Sequence, residues 1–395
     1  MPDFDTILKP FLPELTTLRH ELHMHPEPGY KEQWTARRIL SELERIGRLH
    51  IRTGVAETGI VATLNADRDG PCVALRADLD ALPMTEANTF EYRSQNAGCM
   101  HACGHDGHMT CLVGAARVLA ACANELPGKV KFIFQPAEEG GSGGKRMVEE
   151  GALDDPPVDA IFAMHGWPAT EFGHVVVGSG PIFAATAFLE IDLAGKGTHA
   201  AYPHVGDDLI LVSAHLVTAL QAVAARFTDP LDPVIVSITA VHTGHTHNVL
   251  PDTAKLLGTI RALSSEVLAQ VQEHVRRTVD GVAGTFGVRA TVRFLSYYPV
   301  LANDPQAAAL VAAVAGERLG TEHVVTDPPP TLGGEDFAFF LQRVPGAMWR
   351  LGLRPPGQAE CPQLHHPKFD FPDAAIPLAV DLHCRIVSRY LRQGW

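Results

Sequence analysis

The feature that most constrains the fold is a regular alternation of strand-like and helix-like segments before residue 180. Residues 72–76 form a nearly continuous apolar run, which is typical of a strand buried on both faces. Residues 106–126 have a helical pattern, and residues 129–134 and 160–164 form two more strand-like runs. Strands that alternate with helices predict an α/β fold, in which a mixed, mostly parallel sheet is flanked by helices.

The pattern changes after Gly180, where two helix-like segments are interleaved with four strand-like segments. Two helices beside a four-stranded sheet form an α+β module of about ferredoxin-like size. A chain of 395 residues is too long for one core, and few of the candidate site residues fall in this module. We therefore predict a first domain made of residues 1–181 and 297–395, with a second domain, residues 182–296, inserted into it.

Charge and composition exclude several classes of protein. The net charge is −13 and no run of basic residues stands out, so we expect no nucleic acid partner. The N-terminal residues lack the basic and apolar regions of a secretory signal, and no run of about 18 apolar residues predicts a membrane span. The 7 scattered cysteines are typical of reduced thiols. We expect a cytoplasmic protein that binds neither nucleic acid nor membrane.

The segment 100–108 is the strongest indication of chemistry, because it places a thiol and three imidazoles among glycines. Thiolate and imidazole are preferred ligands of borderline-soft divalent metals, and glycine permits ligand directions that a Cβ would forbid. Further ligand types occur in similar places, several of them just after predicted strands, where α/β enzymes bind their ligands. The pattern predicts a metal site. Its candidate residues are Cys103, His105, Glu138, Glu139, His165, His365 and His366.

Two pairs of carboxylates accompany these ligands. Glu138 and Glu139 are adjacent in a loop, and on an extended backbone one could bind metal while its neighbour acts as a general base. Adjacent glutamates are common on solvated surfaces, but Pro136 before them and two glycines after them favour the catalytic interpretation. Asp78 and Asp80 follow a predicted strand. One is expected to cap a turn and the other to orient a ligand imidazole.

Polar residues beyond residue 180 are weaker candidates. His199 lies among glycines and, taken alone, is interpreted as a hydrogen-bonded loop histidine. His242, His245 and His247 have a metal-like spacing, but their loop lacks a thiol or carboxylate, so they are interpreted as solvated residues. Arg261, in a predicted strand, either recognises a carboxylate or forms a structural ion pair.

Taken in order, these motifs resemble the amidohydrolase and carboxypeptidase branch of the M20 metallopeptidases. That branch includes hippurate hydrolases, N-acyl-amino-acid amidohydrolases and plant auxin-conjugate hydrolases. The resemblance extends nearly from end to end of the chain, and this many motifs in the same order make it specific. The blocks that carry it are 19–23, 25–27, 76–83, 100–108, 135–139, 333–337 and 364–370.

The resemblance implies a binuclear metal centre. It places Cys103 where other branches have a bridging carboxylate, Arg76 where they have a ligand histidine, and Asp78 behind the ligands. Two divalent cations are implied, zinc first, with manganese, nickel and cobalt left open. The implied ligands are Cys103, His105, Glu139, His165 and His366.

The resemblance also implies roles around the metals. Glu138 is the general base, and the inserted segment is a dimerisation or lid domain. That domain brings His199 and Asn248 to the site of the neighbouring subunit, so a homodimer is expected. Asp78, Asn248 and Arg261 are the residues expected to support the ligands or to contact the substrate.

The expected function is metal-dependent hydrolysis of a small N-acyl amino acid to a carboxylate and a free amino acid. The nearest alternative is a dipeptidase or carboxypeptidase of the same superfamily. A thiol amidase with Cys103 as nucleophile is a third hypothesis. A non-enzymatic protein with a closed metal site is the fourth, although such a site has no need of an adjacent unligated Glu138.

Overall fold

The computed structural model describes residues 2–395, for residues 296 and 297 the backbone only, and it divides into two compact units. The first unit comprises the chain up to residue 182 together with residues 302–329 and 336–395. The second comprises residues 183–301 and 330–335. The sequence-based boundaries assign residues 297–301 and 330–335 to the first domain, whereas the structure groups them with the second unit.

An 8-stranded mixed sheet forms the centre of the first unit. Four adjacent strands in it are parallel, in the order Lys129–Gln135, Cys72–Asp78, Ala160–Glu171 and Gly346–Arg354. Every residue of Cys72–Asp78 is buried, because helices cover both faces of a parallel sheet. The predicted fold class is therefore confirmed. The remaining strands are Leu49–Val55, Gly59–Leu64, Val175–Val176 and Val324–Val325.

Helices bury their apolar faces against this sheet. The helix His105–Ala121 is buried along nearly its whole length, because it contacts a central strand and the helices Leu12–Met24 and Ala375–Gln393. The helix Gln33–Ile46 ends at Gly47, whose φ of +70° is the left-handed conformation that terminates helices. The other helices and helical turns of this unit are Phe4–Leu8, Lys9–Phe11, Ala123–Glu125, Gly143–Glu149, Pro305–Leu319, Thr321–His323 and Ala338–Leu341.

The second unit has the predicted order of strand, helix, strand, strand, helix and strand. Its 4-stranded antiparallel sheet and two helices enclose a separate apolar core. Alternate residues of the strand Thr253–Ala262 are buried, as expected of a sheet with one face against helices. The sheet order is Val234–Thr243, Thr253–Ala262, Ala185–Ala194 and Arg289–Tyr298, and the helices are Leu209–Ala222, which continues as Val223–Phe227, and Ser265–Phe286. Shorter elements of the chain are Gly180–Phe183, Thr198–His199, Pro203–Val205, Val249–Leu250 and Leu301–Asn303.

One helical stretch bears on the expectation about membrane spans without deciding it. Leu209–Phe227 has 19 residues and a mean hydropathy of 1.6, so by length and composition it could cross a membrane. A search for an uninterrupted apolar run does not find this helix, because Ser213 and His215 interrupt the run. They do not lower the mean hydropathy below the value expected of a membrane span. Leu216 and Leu220 on this helix belong to the core of the second unit, and a core helix passes the same test.

Candidate metal centre

Strand ends bring the first-unit candidates to one edge of the sheet. Asp78 ends one strand and is paired with Gln135, which ends its parallel neighbour. Glu138 and Glu139 follow Gln135 in the chain, and His165 lies in the parallel strand on the other side of the strand that ends at Asp78. Ligands of open α/β sheets bind at the carboxyl ends of the strands, and these candidate residues meet there.

Two groups of metal-binding atoms share one sulfur. The donor atoms of Cys103, His105 and His165 all lie within 4.8 Å of one another, and Cys103 Sγ is 3.5 Å from His165 Nε2. Within the same limit, Cys103 also groups with Glu139 and His365. Cys103 Sγ belongs to both groups, which is the position required of a ligand shared between two cations.

Glu138 and Glu139 both reach this cluster. One carboxylate oxygen of each lies within 4.8 Å of a ring nitrogen of His105, and Glu138 is only 7% exposed. The backbone here is a turn and not the extended segment that the sequence suggested, since φ is +52° at Ala137 and +96° at Gly140. The turn is the reason that adjacent side chains point into one site and not to opposite sides.

The structure corrects the choice between the two adjacent histidines. His365, not His366, lies beside Glu139, with its Nε2 3.2 Å from Glu139 Oε1. The backbone N–H of His365 donates to Ala102 O at 2.8 Å, which holds this residue next to the Cys103 loop. The His366 ring instead accepts the backbone N–H of Lys368 at 3.1 Å and falls in none of the ligand groups of residues 2–395. The two rings have different partners in this turn, and of the two only His365 lies beside the cluster.

Hydrogen bonds to the far ring nitrogens orient the ligand imidazoles. His105 Nδ1 donates to Asp80 O at 2.7 Å, and His165 Nδ1 donates to Gly166 O at 2.8 Å. A carbonyl oxygen only accepts, so each Nδ1 carries the proton and each Nε2 keeps a lone pair for a metal. His108 differs, because its Nδ1 donates to Asp78 and its Nε2 accepts the N–H of Gly166 at 2.9 Å. Both of its nitrogens are engaged, and it supports the site without facing it.

Asp78 links this histidine to a buried arginine. Its Oδ1 is 2.8 Å from His108 Nδ1, and its Oδ2 accepts Arg76 Nη1 at 2.8 Å. Arg76 also pairs with Asp336 at 3.0 Å. Burial alone would raise the pKa of Asp78, but the charge of Arg76 and the hydrogen bond from His108 hold it well below its usual range. Asp78 therefore remains a carboxylate behind the ligand residues.

The charges around the cluster fit a cation. Burial and the carboxylates of Glu139, Glu138 and Asp78 raise the pKa of Cys103 well above its usual range, so positive charge is needed to make it a thiolate. Burial lowers the pKa of His165 and keeps its imidazole in the neutral form that binds metals. His105 Nε2 is buried and has no hydrogen-bond partner among the described residues. The donor set, with sulfur, nitrogen and carboxylate oxygen, suits zinc and its neighbours in the transition series.

The remaining predicted residues belong to the second unit. His199 is exposed in a short strand that pairs with Val249–Leu250, and the N–H of Ala200 donates to Asn248 O at 3.0 Å, so His199 and Asn248 are neighbours. Arg261 is half-buried, and none of residues 2–395 forms an ion pair with it within 4.0 Å. Burial lowers the pKa of Arg261.

Two supporting residues escaped the sequence interpretation in part or whole. Asp80 was expected to cap a turn or to orient an imidazole, and its side chain in fact accepts the backbone N–H groups of Glu138 and Glu139. Glu32 was not a candidate, although its carboxylate accepts the backbone N–H of Ala137 at 2.9 Å. A single glutamate in a helical pattern offers no signal that could have revealed this contact.

The fold and the site define the class: a metal-dependent hydrolase, in which a buried carboxylate stands beside a shared set of metal donors. The sequence profile of Peptidase family M20/M25/M40 matches residues 74–389, and the chain belongs to this family. The resemblance seen in the motifs is therefore confirmed.

Named relatives fall in the branch that the motifs indicated. IAA-amino acid hydrolase ILR1-like 4 of Arabidopsis thaliana is 36% identical over 96% of this chain and 86% of its own length. N-acetyl-L-cysteine deacetylase of Bacillus subtilis is 37% identical over 92% of this chain and 85% of its own. Thermostable carboxypeptidase 2 of Saccharolobus solfataricus is 34% identical over 94% of both chains.

A solved structure shares the fold along nearly the whole chain. The Bacillus subtilis YXEP protein, described as a dinuclear metal binding peptidase from the M20 family, matches with a TM-score of 0.82 and 32% identity. The match covers 98% of this chain and 99% of that one.

Proposed function

We propose that this protein is an amidohydrolase that splits an N-acyl amino acid into a carboxylate and a free amino acid. The observation that carries the proposal is the convergence of two donor groups on Cys103 with a buried glutamate, Glu138, beside them. Relatives named for deacetylation and for hydrolysis of an amino acid conjugate support this class of substrate.

Five residues would hold two divalent cations, and His365 replaces His366 among them. Zinc is our first choice, with manganese, nickel or cobalt as alternatives. When bound, the cations would supply a water with a pKa lowered toward about 7 and would polarise the amide carbonyl. The five residues are Cys103, His105, Glu139, His165 and His365.

The chain's own residues then move protons and hold charge. Glu138 takes a proton from the attacking water and delivers it to the leaving amine, as its buried position beside the ligands allows. His199 donates to the developing oxyanion, with Asn248 next to it in the same loop pair. Arg261, which has no ion-pair partner among the described residues, takes the carboxylate of the substrate.

We further propose a cytoplasmic homodimer in which His199 serves the neighbouring subunit. Exposed large apolar side chains are concentrated in the second unit, for example Ile210, Leu211 and Phe227 at 48%, 46% and 54% exposure. Many large apolar side chains exposed on one unit are a feature that a protein interface would cover. Size-exclusion chromatography with light scattering would give the mass, and a monomer that retains full activity would contradict the proposal.

Two other activities make different predictions. A carboxypeptidase is the closer one, because a relative of that name is 34% identical to this chain. A thiol amidase is disfavoured, because the raised pKa of Cys103 leaves a neutral thiol and not a nucleophilic thiolate. Iodoacetamide should therefore react only slowly with Cys103 of the metal-free protein, whereas a chelator should abolish turnover.

The deciding experiment is a substrate panel. Metal-free protein is reconstituted with each of the four metals and assayed on N-acetyl and N-benzoyl amino acids and on dipeptides. We expect the acyl amino acids to have the higher kcat/KM. A preference for dipeptides would favour the peptidase alternative.

Replacement of Glu138 tests the assigned chemistry. Glu138→Gln should lower kcat by about 10²–10⁴-fold, because the proton carrier is lost while the shape is kept. Bound metal, measured by elemental analysis, should be unchanged in Glu138→Gln and reduced in the neighbouring Glu139→Gln. Near-normal turnover by Glu138→Gln would remove Glu138 from the mechanism.

A further inference from the structure

Three consecutive backbone N–H groups beneath the glutamate pair donate to two buried carboxylates. The N–H of Ala137 donates to Glu32 Oε1 at 2.9 Å. The N–H groups of Glu138 and Glu139 donate to the two oxygens of Asp80, at 3.0 and 2.9 Å. Glu32 is 0% exposed and Asp80 is 1% exposed, so neither carboxylate has water as an alternative partner.

The backbone that these bonds hold is one that residues with a Cβ disfavour. Ala137 has a φ of +52°, in the left-handed region, and it is followed by the two glutamates. Such conformations persist when the surroundings over-determine them, and they cluster at functional sites. The bonds to Glu32 and Asp80 supply that constraint on both sides of the Ala137–Glu138 peptide.

Asp80 also reaches the metal centre by a second route. Its backbone carbonyl accepts the Nδ1 proton of His105 at 2.7 Å, which leaves Nε2 of that ring facing the cluster. One residue therefore contacts a ligand imidazole and the backbone of both glutamates. Glu32 is in turn held by Thr58, whose hydroxyl donates to its other oxygen at 2.7 Å.

We propose that Asp80 and Glu32 form a carboxylate clamp of positioning residues, which sets the direction of Glu138 and Glu139 toward the metals. The inference rests on the proposed function for its effect on turnover, but its effect on metal affinity does not depend on the substrate. Asp80→Asn keeps the size of the side chain and removes one of the two acceptor oxygens, so one glutamate N–H loses its partner. Asp80→Glu keeps the charge but lengthens the side chain and should not restore the geometry.

A matched control is available in the same region. The carboxylate of Glu27 also accepts backbone N–H groups, those of Trp34 and Thr35 at the start of a helix. Both N–H groups donate to Glu27 Oε2 at 2.9 Å. The N–H of Trp34 donates to both oxygens of Glu27, so Glu27→Gln places an amide N–H against it in either orientation of the amide and weakens the same kind of bond without touching the glutamate turn. A purely structural role for the clamp predicts that Asp80→Asn and Glu27→Gln behave alike.

The test measures kcat, KM, thermal unfolding and zinc affinity, the last by titration of metal-free protein. Asp80→Asn and Glu32→Gln should lower kcat and zinc affinity by about 10–100-fold with KM changed less than about threefold. Glu27→Gln should lower the unfolding temperature while zinc affinity and kcat stay at wild-type values. If Asp80→Asn does not fold, the same measurements on Glu32→Gln and Thr58→Val test the clamp.

The outcomes separate this inference from the proposed function. Wild-type zinc affinity and kcat in all the clamp variants would overturn the clamp even if Glu138→Gln is inactive. If no N-acyl amino acid is hydrolysed, the proposed function fails, and weakened zinc binding in Asp80→Asn alone would still support the clamp.

Discussion

Two adjacent histidines show how finely single residues are sorted at this site. His365 and His366 have the same side chain, and they differ only in the direction that a turn gives each of them. The backbone of His365 has a φ of +63° and donates a hydrogen bond to Ala102 O, and its imidazole lies beside Glu139. The imidazole of His366 instead accepts the backbone N–H of Lys368. Which of the two imidazoles faces the cluster therefore depends on backbone direction and not on residue type.

Replacing each of these histidines in turn gives a direct prediction. His365→Ala should weaken metal binding more than about 100-fold, because loss of a ligand exceeds the 10–100-fold typical of supporting residues. His366→Ala should leave metal affinity within about threefold of wild type. Competition with a chromophoric chelator measures both constants, and the reverse ranking would restore His366 as the ligand.

At the scale of elements, the helix His105–Ala121 supports the site because it packs closely against its neighbours, with no room for a larger side chain at its first turn. It begins at the candidate ligand His105, and an aromatic ring lies directly against its first turn. A Cβ added at Gly107 would stand 2.2 Å from the ring of Phe371. The helix can approach the loop that carries Phe371 only because this position has no side chain.

Substitution of that glycine should be costly. Gly107→Ala should lower the free energy of unfolding by about 1–3 kcal/mol through overpacking, as measured by denaturant titration. Gly281→Ala is the matched control, because nothing lies within 4 Å of a Cβ there in the helix Ser265–Phe286. That change should raise stability by up to about 1 kcal/mol, since alanine is the better helix former. Equal effects at the two positions would contradict the packing argument.

The contact between the helices Leu12–Met24 and His105–Ala121 should respond to pH. His23 lies between Asp106 at 2.8 Å and Glu86 at 3.1 Å. Burial lowers the pKa of His23, but these carboxylates outweigh it and raise the value to about 9. A raised pKa means that protonated His23 stabilises the folded state fully below about pH 6.5, and that this contribution is lost as the pH rises through about 9.

The expected size of this effect is about 3 kcal/mol, because the pKa of His23 rises from 6.5 to about 9. The difference in unfolding free energy between wild type and His23→Gln should therefore be largest near pH 6 and shrink toward pH 10. Denaturant titrations at several pH values measure it. A difference that grows with pH would show that His23 is neutral in the folded protein.

At the scale of the whole molecule, the first unit consists of chain segments that precede and follow the second unit in the sequence. Its metal donors come from distant parts of the sequence, from Cys103 to His365, whereas the second unit has its own core. A metal held by these residues would join remote segments of the first unit, and its binding energy would add to the stability of that unit.

Removal of metal should affect the two units differently. A chelator should abolish activity and lower stability by about 2.7 kcal/mol relative to protein at a metal concentration of about 100 Kd. Hydrogen exchange should increase around Cys103 and Glu139 and stay unchanged in the helix Ser265–Phe286. Added zinc should reverse both effects. Equal loss of protection in both units would contradict a centre built by the first unit alone.

The sequence by itself determined the fold class and the family, and it indicated the candidate residues of the site. Those features follow from local signals: apolar runs such as 72–76, the glycine after Ile46, and the thiol and imidazoles of residues 100–108. Periodicity and residue type act over a few residues, so they can be recognised before the chain is folded.

Only the tertiary structure decided which donors meet and what holds them. In the folded chain, His365 and not His366 lies beside Glu139, and the side chains of Glu138 and Glu139 lie in one cluster. Glu32 accepts a hydrogen bond from the backbone of Ala137, more than a hundred residues away in the sequence. The tertiary structure also showed an apolar helix at Leu209–Phe227 that scattered polar residues conceal in the sequence. The reason is physical: the direction of a side chain depends on backbone angles and on distant hydrogen-bond partners, and neither is encoded in any short stretch of residues.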